Sequence, residues 1–310
     1  MSIFKTKKED KIKKEEKLNN KTESKNKRIQ KTGFYIAPSA LGVLLFYVAP
    51  FLVVIYFSFI DNPIQKNFVG FENYAKIAGN NAFQQAVKNS SMFSLTAVPL
   101  AVALSLMLAF WLNSGIYFKT QLRSAFLTPL MVPIASIVLI WQVLFDYSGV
   151  VNAIMVKHGG EKIDWLKTGS GMLVLLILFL WKNLGYNMIL FLSAMSAIPE
   201  EIVEVAKLDG AGKMRIFFFI KMRYLMPTII FTVFLSIINS FKIFREIYML
   251  TGGYPVEGLY MLQHYMNNTF TSVDYQKLST AAIYMSVAMI LIIGSLFAIE
   301  GYFGKDLEDE

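Results

Sequence analysis

Six stretches of about twenty mostly apolar residues run along the chain, and they constrain its fold more than any other feature, because a helix of about twenty residues is needed to cross a bilayer. Hydrophobic residues make up 55% of the sequence and charged residues 17%, whereas soluble domains carry roughly 25% charged residues. The sequence therefore predicts an all-α integral membrane protein. We expect its six spans at 33–60, 91–112, 124–145, 171–194, 224–241 and 280–299.

Positive charge is concentrated before the first span, and this predicts the orientation of the chain. Residues 1–32 carry twelve Lys and Arg against five acids, and basic residues favour the cytoplasmic side of a membrane. We expect this segment to be a largely disordered cytoplasmic tail. An even number of spans returns the acidic end, 301–310, to the cytoplasm. The basic tail has one aromatic residue, Phe4, so nucleic acid is not an expected partner.

Residues that enzyme and metal sites commonly require are scarce. The chain has no cysteine and two histidines, His158 and His264, which excludes a thiolate nucleophile and a His-rich metal centre. The segment Gly210-Ala-Gly-Lys213 resembles part of a phosphate loop, but it lacks the spacing that a Walker A motif needs. We expect a chain that is not an enzyme, with no catalytic residue, no metal and no cofactor of its own.

The segment between spans four and five, 195–223, is too long for a simple helix connection, and long ordered loops are usually functional. A proline followed by two glutamates at 199–201 is a typical helix start. Gly210 is expected to end this helix, and a second amphipathic helix is expected from Gly212. We call 195–223 the coupling loop, and we predict that its two helices form a cytoplasmic knob.

A specific pattern lies within the coupling loop. Its residues are Glu204, Ala206, Asp209, Gly210, Ala211, Phe217 and Ile220, with Pro227 downstream. The pattern resembles the EAA loop of binding-protein-dependent ABC importer permeases, with departures at Val205 and at Arg223, where a proline is usual. The block 244–255 is similar to the Tyr-x-Leu-Thr-Gly-Gly…Pro stretch of the sugar-permease branch, although Arg245 stands where that branch commonly has Asp. The small residues and prolines of 40–50 agree with the same branch.

The resemblance implies a type I ABC importer permease of the maltose-type carbohydrate branch, located in a bacterial cell membrane. Such a permease pairs with a second homologous permease, with two cytoplasmic ATPase subunits that hold ATP and Mg²⁺, and with an external solute-binding protein. The pattern residues would form a coupling helix on one ATPase, with Glu204 and Asp209 docking against basic groups. An amphipathic helix lying on the lipid surface is the alternative for this segment.

Polar and ionisable side chains in spans four and five are the candidates for the substrate pathway, since such groups are costly inside a membrane. Amides, cations and aromatic rings suit a hydroxyl-rich carbohydrate. The candidates are Lys182, Asn183, Tyr186, Asn187, Asn239, Lys242, Arg245 and Tyr248. The three cations among them suggest an anionic saccharide. Three plainer alternatives are an i,i+4 pair between Lys242 and Glu246, a pair between Lys182 and an acid of the partner permease, and an Arg245 side chain that extends outward from the end of the span to the membrane surface.

The connection after span five contains Thr251, Gly252, Gly253 and Pro255, and we expect these residues to contact the binding protein or to form an external gate. His264 is expected to be an ordinary loop histidine.

The alternative function is an ion-gradient-driven secondary transporter. Such a protein would need membrane-embedded carboxylates and an inverted repeat. The predicted spans hold no acid, Glu246 lies at a span border, and no repeat is evident.

Overall fold

The computed structural model describes residues 36–114 and 117–308, with side chains through residue 299. Within these ranges the secondary structure is helical apart from one β-bridge between Ile60 and Phe68. The described part of the chain has six helices long and apolar enough to cross a membrane, and the predicted six-span, all-α fold is confirmed. They are Ile36–Ser58, Asn81–Asn113, Ile134–Lys157, Gly171–Ser196, Lys213–Thr251 and Tyr275–Ile299. The predicted basic tail, 1–32, lies outside the described residues.

The predicted third span, 124–145, is not one continuous helix. It is divided into the helices Lys119–Met131 and Ile134–Phe145. Val132 between them has an extended backbone, with φ −85° and ψ 128°, because the ring of Pro133 disfavours a helical conformation in the preceding residue. A third helix, Val150–Lys157, completes this span region. Hydropathy runs unbroken across the proline, so the sequence pattern did not reveal the break.

The helices of spans two and six extend beyond the predicted apolar stretches. Span two begins at Asn81, ten residues before the predicted residue 91, and the side chain of Asn80 caps it by accepting a hydrogen bond from the Phe83 N–H at 3.0 Å. The final helix covers Tyr275–Glu308. Most of the predicted acidic tail, 301–310, is therefore helical, with residues 309–310 outside the described part.

Spans two, four and five pack against one another and form the core. Span two contributes small, fully buried residues such as Ala97 and Ala101, which pack with Leu175 and Phe179 of span four. Small side chains allow membrane helices to approach closely. The backbones approach most closely at Gly185 of span four, where an added Cβ would lie 1.9 Å from the Phe126 carbonyl oxygen.

The coupling loop contains one short helix followed by a long one. Glu200–Leu208 is the short helix, and the second begins at Lys213. The second helix passes through a π-helical segment, Ile216–Lys221, directly into Met222–Phe241 of span five. The second half of the predicted knob is thus the first part of the span-five helix rather than a separate short helix.

Candidate functional site

A cavity of about 170 Å³ lies beside the point where the span-five helix ends. That helix ends at Phe241, and a new helix, Phe244–Thr251, follows after a two-residue turn. Spans four and five and the helices on either side of Pro133 contribute the walls. The lining residues are Leu130, Ile134, Phe179, Lys182, Asn183, Asn239, Lys242, Ile243, Arg245 and Glu246. We call this space the polar cavity.

The polar cavity brings together five of the eight predicted substrate-pathway residues. They are Lys182, Asn183, Asn239, Lys242 and Arg245. Tyr186, Asn187 and Tyr248 do not line it. The ring of Tyr248 instead contacts Phe244, with 5.5 Å between centroids, and both Tyr186 and Tyr248 are exposed.

Amide side chains connect spans four and five at this level. Asn183 donates to the Phe179 carbonyl at 2.8 Å and accepts a hydrogen bond from Asn239 Nδ2 at 2.9 Å. One turn further along, the buried Asn187 donates to Ser236 Oγ at 3.0 Å. In membrane proteins such interhelical bonds hold neighbouring helices together. Asn187 therefore joins two helices, while Asn183 and Asn239 also face the cavity.

The cations of the polar cavity fall into two groups. Lys182 forms an ion pair with Glu246, whose side chain is only 3% exposed. Because Glu246 pairs with Lys182, the alternative i,i+4 pair with Lys242 is not formed. Lys242 and Arg245 are exposed, and neither has a carboxylate partner among the residues that the structure describes.

A second cavity, of about 610 Å³, is lined by two of the four predicted external contact residues. Thr251 and Pro255 line this cavity, together with Asp146, Asp164, Lys167 and Tyr254. Gly252 and Gly253 shape the turn instead. Gly252 has φ +80°, a conformation that favours glycine, and the Gly253 carbonyl accepts a hydrogen bond from Asn268 Nδ2 at 2.9 Å.

His264 is not the loop histidine that was expected, so that prediction is wrong. It is fully buried in the helix Leu262–Thr271. Its Nδ1 accepts a hydrogen bond from the Met261 N–H at 3.2 Å, and its ring packs edge-on against Phe244, 4.7 Å between centroids. Burial lowers the pKa of His264 to about 4, so the folded chain keeps this imidazole neutral near pH 7.

The backbone geometry of the coupling loop accounts for several residues of the EAA-like pattern. The Ala211 N–H donates to the Ala206 carbonyl at 2.9 Å, and the Gly210 N–H donates to the Lys207 carbonyl at 3.0 Å. Gly210 itself has φ +79°. This is a Schellman motif, which ends a helix with a residue in the left-handed conformation. Asp209 is the C-cap residue, so the Asp-Gly-Ala segment fixes where the short helix stops.

The short helix has two different faces. Glu204 belongs to the face directed at the spans, where it lines a cavity of about 500 Å³. Its neighbours there include Glu200, Val203, Lys207, Phe110 and Lys221. The opposite face exposes three apolar side chains, Ile202 (37%), Val205 (56%) and Leu208 (87%), which we call the apolar stripe.

Phe217 and Ile220 lie within the π-helical segment, not on the short helix. The Phe217 ring contacts Phe110 of span two, with 4.8 Å between centroids, and Ile220 is half-buried. The sequence interpretation missed the apolar stripe. The stripe can be found in the sequence, because apolar residues recur at every third position, 202, 205 and 208. This spacing places their side chains on one side of a helix that starts after Pro199.

Comparisons with known proteins agree on one family. Residues 101–309 match the family described as binding-protein-dependent transport system inner membrane component. The sulfoquinovosyl glycerol transport system permease protein SmoG of Agrobacterium fabrum is 30% identical over 257 residues, covering 81% of this chain and 83% of that protein. The trehalose/maltose transport system permease protein MalF of Thermococcus litoralis is 28% identical over 285 residues, covering 90% and 96%.

A solved structure shows the same fold. A bacterial ABC transporter involved in the import of the acidic polysaccharide alginate matches with a TM-score of 0.76 at 18% identity, covering 89% of this chain and 96% of that chain. The resemblance to sugar permeases is thereby confirmed, and the chain is a membrane permease subunit, not an enzyme. The chain belongs to the family of binding-protein-dependent transport system inner membrane components.

Proposed function

We propose that this chain forms half of the translocation pathway of an ATP-driven carbohydrate importer and that it is coupled to a cytoplasmic ATPase through the helix Glu200–Leu208. The observation that carries this proposal is the continuity of one helix. From Lys213 to Phe241 the backbone is helical without interruption, a length of roughly 40 Å at the usual helical rise. One end of this helix adjoins the helix Glu200–Leu208, which we call the coupling helix, and its other end lies at the polar cavity.

That continuity gives a mechanical route for coupling. A helix is a rigid element, and rigid-body movement of packed helices is a common way to transmit a change between sites. Closure of an ATPase against Glu200–Leu208 would displace the start of the span-five helix. Because Phe217 packs on Phe110, span two would move with it, and the walls of the polar cavity would be rearranged.

We propose that the apolar stripe contacts the ATPase. Ile202, Val205 and Leu208 are exposed on the face turned away from the spans, and clustered exposed apolar side chains mark interaction surfaces. Asp209 stands beside the stripe as a partner for basic groups. Glu204, which faces the spans, is assigned to holding the coupling helix in place, and Ala206, Gly210 and Ala211 to ending it.

The carbohydrate substrate is supported by the relatives and by the polar cavity. Among the relatives are a lactose permease of Rhizobium radiobacter and the sulfoquinovosyl glycerol and trehalose/maltose permeases. The alginate transporter has also been solved with a pentasaccharide-bound periplasmic protein. We propose a second permease, two ATPase subunits that hold ATP and Mg²⁺, and an external solute-binding protein as partners, with both termini of this chain in the cytoplasm of a bacterium.

Native co-purification tests the coupling proposal. Tagged full-length chain is extracted from its own membranes in mild detergent, as wild type and as Val205→Glu. We expect wild type to recover an ATPase and a second six-span protein. The glutamate places a charge in the apolar stripe and should reduce ATPase recovery by about tenfold or more, since a central interface residue contributes about 2 kcal/mol. The second permease should be retained.

Val205→Ile is the matched control, because it keeps an apolar side chain at the same position. It should recover the ATPase as wild type does. Equal ATPase recovery with Val205→Glu, at equal expression, would exclude the stripe as the docking surface. A wild-type chain that brings down no ATPase would contradict the importer assignment itself.

A further inference from the structure

The polar cavity carries more positive charge than its own residues neutralise. Three cations line it, Lys182, Lys242 and Arg245, against one carboxylate, Glu246. Glu246 forms an ion pair with Lys182. Subtracting one carboxylate from three cations leaves a formal charge of +2, located on Lys242 and Arg245.

Lys242 and Arg245 line the cavity and are exposed, so both are available to a negatively charged group that enters it. A cleft lined by charges of one sign attracts ions of the opposite sign and raises their local concentration. Glu246 cannot supply that group, because the pair with Lys182 leaves its side chain almost completely buried. Among the residues that the structure describes, the cavity lining holds no other carboxylate, so an anionic group that pairs with Lys242 and Arg245 comes from a second chain or from a ligand.

The spacing of the two cations suits a single anionic group. Lys242 lies in the turn after span five, and Arg245 is three residues further on, at the start of the next helix. Residues three apart on a helical turn lie on the same side. An arginine guanidinium binds a carboxylate or a related oxyanion through two parallel hydrogen bonds, and lysine adds a point charge.

We infer that the polar cavity binds a saccharide that bears an anionic group, a carboxylate or a sulfonate. This inference rests on the proposed function as a carbohydrate permease. Arg245 and Lys242 bind the anionic group, and the amides of Asn183 and Asn239, which face the same cavity, bind hydroxyls of the ring. The pair between Lys182 and Glu246 keeps the one carboxylate of the cavity from repelling the ligand.

The test compares two probes that differ only in charge. One is a uronic-acid trisaccharide, and the other is the same trisaccharide with its carboxylates reduced to primary alcohols. Binding to the purified importer complex, without binding protein, is measured in phosphatidylcholine nanodiscs. The chains compared are wild type, Lys242→Gln, Arg245→Gln and the double variant. Lys157→Gln, which removes a lysine outside the cavity, is the charge control.

We expect wild type and Lys157→Gln to bind the uronate more tightly than the neutral probe. Each cavity variant should weaken uronate binding by about tenfold, the usual contribution of a charge-assisted hydrogen bond, and leave the neutral probe unchanged. Lys242→Arg should restore uronate binding. Added salt should weaken the uronate and not the neutral probe.

Three outcomes would overturn the inference. If wild type binds both probes equally and the variants make no difference, an acid of the second permease neutralises the two cations, and the carbohydrate assignment stands without the anionic class. If phosphatidylglycerol in the nanodiscs abolishes uronate binding, the two cations hold a lipid headgroup. If neither probe binds, both the substrate class and the role of the cavity in carbohydrate transport fail.

Discussion

Lys182 of span four and Glu246, in the helix after span five, form an ion pair in the wall of the polar cavity. The two residues are 64 positions apart in the sequence, and the pair ties span four to the helix Phe244–Thr251. The side chain of Glu246 is nearly inaccessible, while that of Lys182 remains 29% exposed on the cavity side. The cavity wall is thus held by a charge pair whose cation still faces the ligand space.

This pair makes a prediction about stability. Lys182→Met leaves the Glu246 carboxylate buried without its partner, and breaking a buried pair in this way typically costs about 3 to 5 kcal/mol. We expect a clear drop in the thermal unfolding temperature of the purified complex in detergent. The double variant with Glu246→Met removes both charges and should recover most of the loss. If the loss of stability in the double variant equals the sum of the losses in the two single variants, Lys182 and Glu246 do not stabilise each other.

The glycine at the crossing of span four makes a second prediction. A Cβ at Gly185 would lie 1.9 Å from the Phe126 carbonyl oxygen, and that atom belongs to backbone that cannot move aside easily. Gly185→Ala should force the helix Lys119–Met131 away from span four and lower the unfolding temperature. Gly294→Ala in the last span is the matched control, because nothing lies within 4 Å of its Cβ position. That variant should be neutral or slightly stabilising, since alanine favours a helix by about 1 kcal/mol over glycine.

The buried histidine predicts a pH dependence of stability. In the unfolded chain His264 binds a proton below its ordinary pKa of 6.5, whereas burial lowers the pKa in the folded chain to about 4. The unfolded state therefore binds more protons between these values. This contribution to stability is fully present above pH 6.5 and is lost as the pH falls towards 4, reaching about 2 to 3 kcal/mol.

Thermal unfolding measured from pH 7 to pH 4 tests this prediction, with His264→Asn as the comparison. The asparagine carbonyl can still accept the hydrogen bond from the Met261 N–H, but it does not titrate. We expect the gap between wild type and variant to narrow as the pH falls, because only wild type loses the histidine contribution. Parallel curves across the range would mean that His264 does not titrate differently in the folded and unfolded states.

Substitution of the left-handed glycine of the coupling loop is predicted to uncouple ATP hydrolysis from transport. Gly210 has φ +79°, which proline cannot adopt, and Gly210→Pro also removes the N–H that donates to the Lys207 carbonyl. We expect the variant to insert and to keep its spans while ATP hydrolysis no longer drives uptake. Gly212→Ala is the matched control, because Gly212 has φ −67° and an open Cβ position. Normal uptake by the Gly210→Pro variant would show that this turn has no role in coupling.

Much of the fold follows from the sequence because hydropathy and helix-start signals are local. The six spans and the helix that starts after Pro199 are predicted from nearby residues alone. The partner of Glu246 is not local. Sequence spacing offered Lys242 as one alternative partner at i,i+4, but packing of span four brings Lys182 to the carboxylate. The environment of His264 likewise depends on Phe244, twenty residues away.

If the helix Glu200–Leu208 contacts an ATPase, as proposed, residue 208 lies at that interface. The chain has no cysteine, so Leu208→Cys can be labelled at one position with a photoreactive maleimide in native membranes. We expect a covalent adduct between residue 208 and an ATPase subunit, identified by mass spectrometry. Lys157→Cys, placed by the predicted orientation on the other side of the membrane, should give none. An adduct of residue 208 with lipid alone would show that this helix lies on the membrane surface and not on an ATPase.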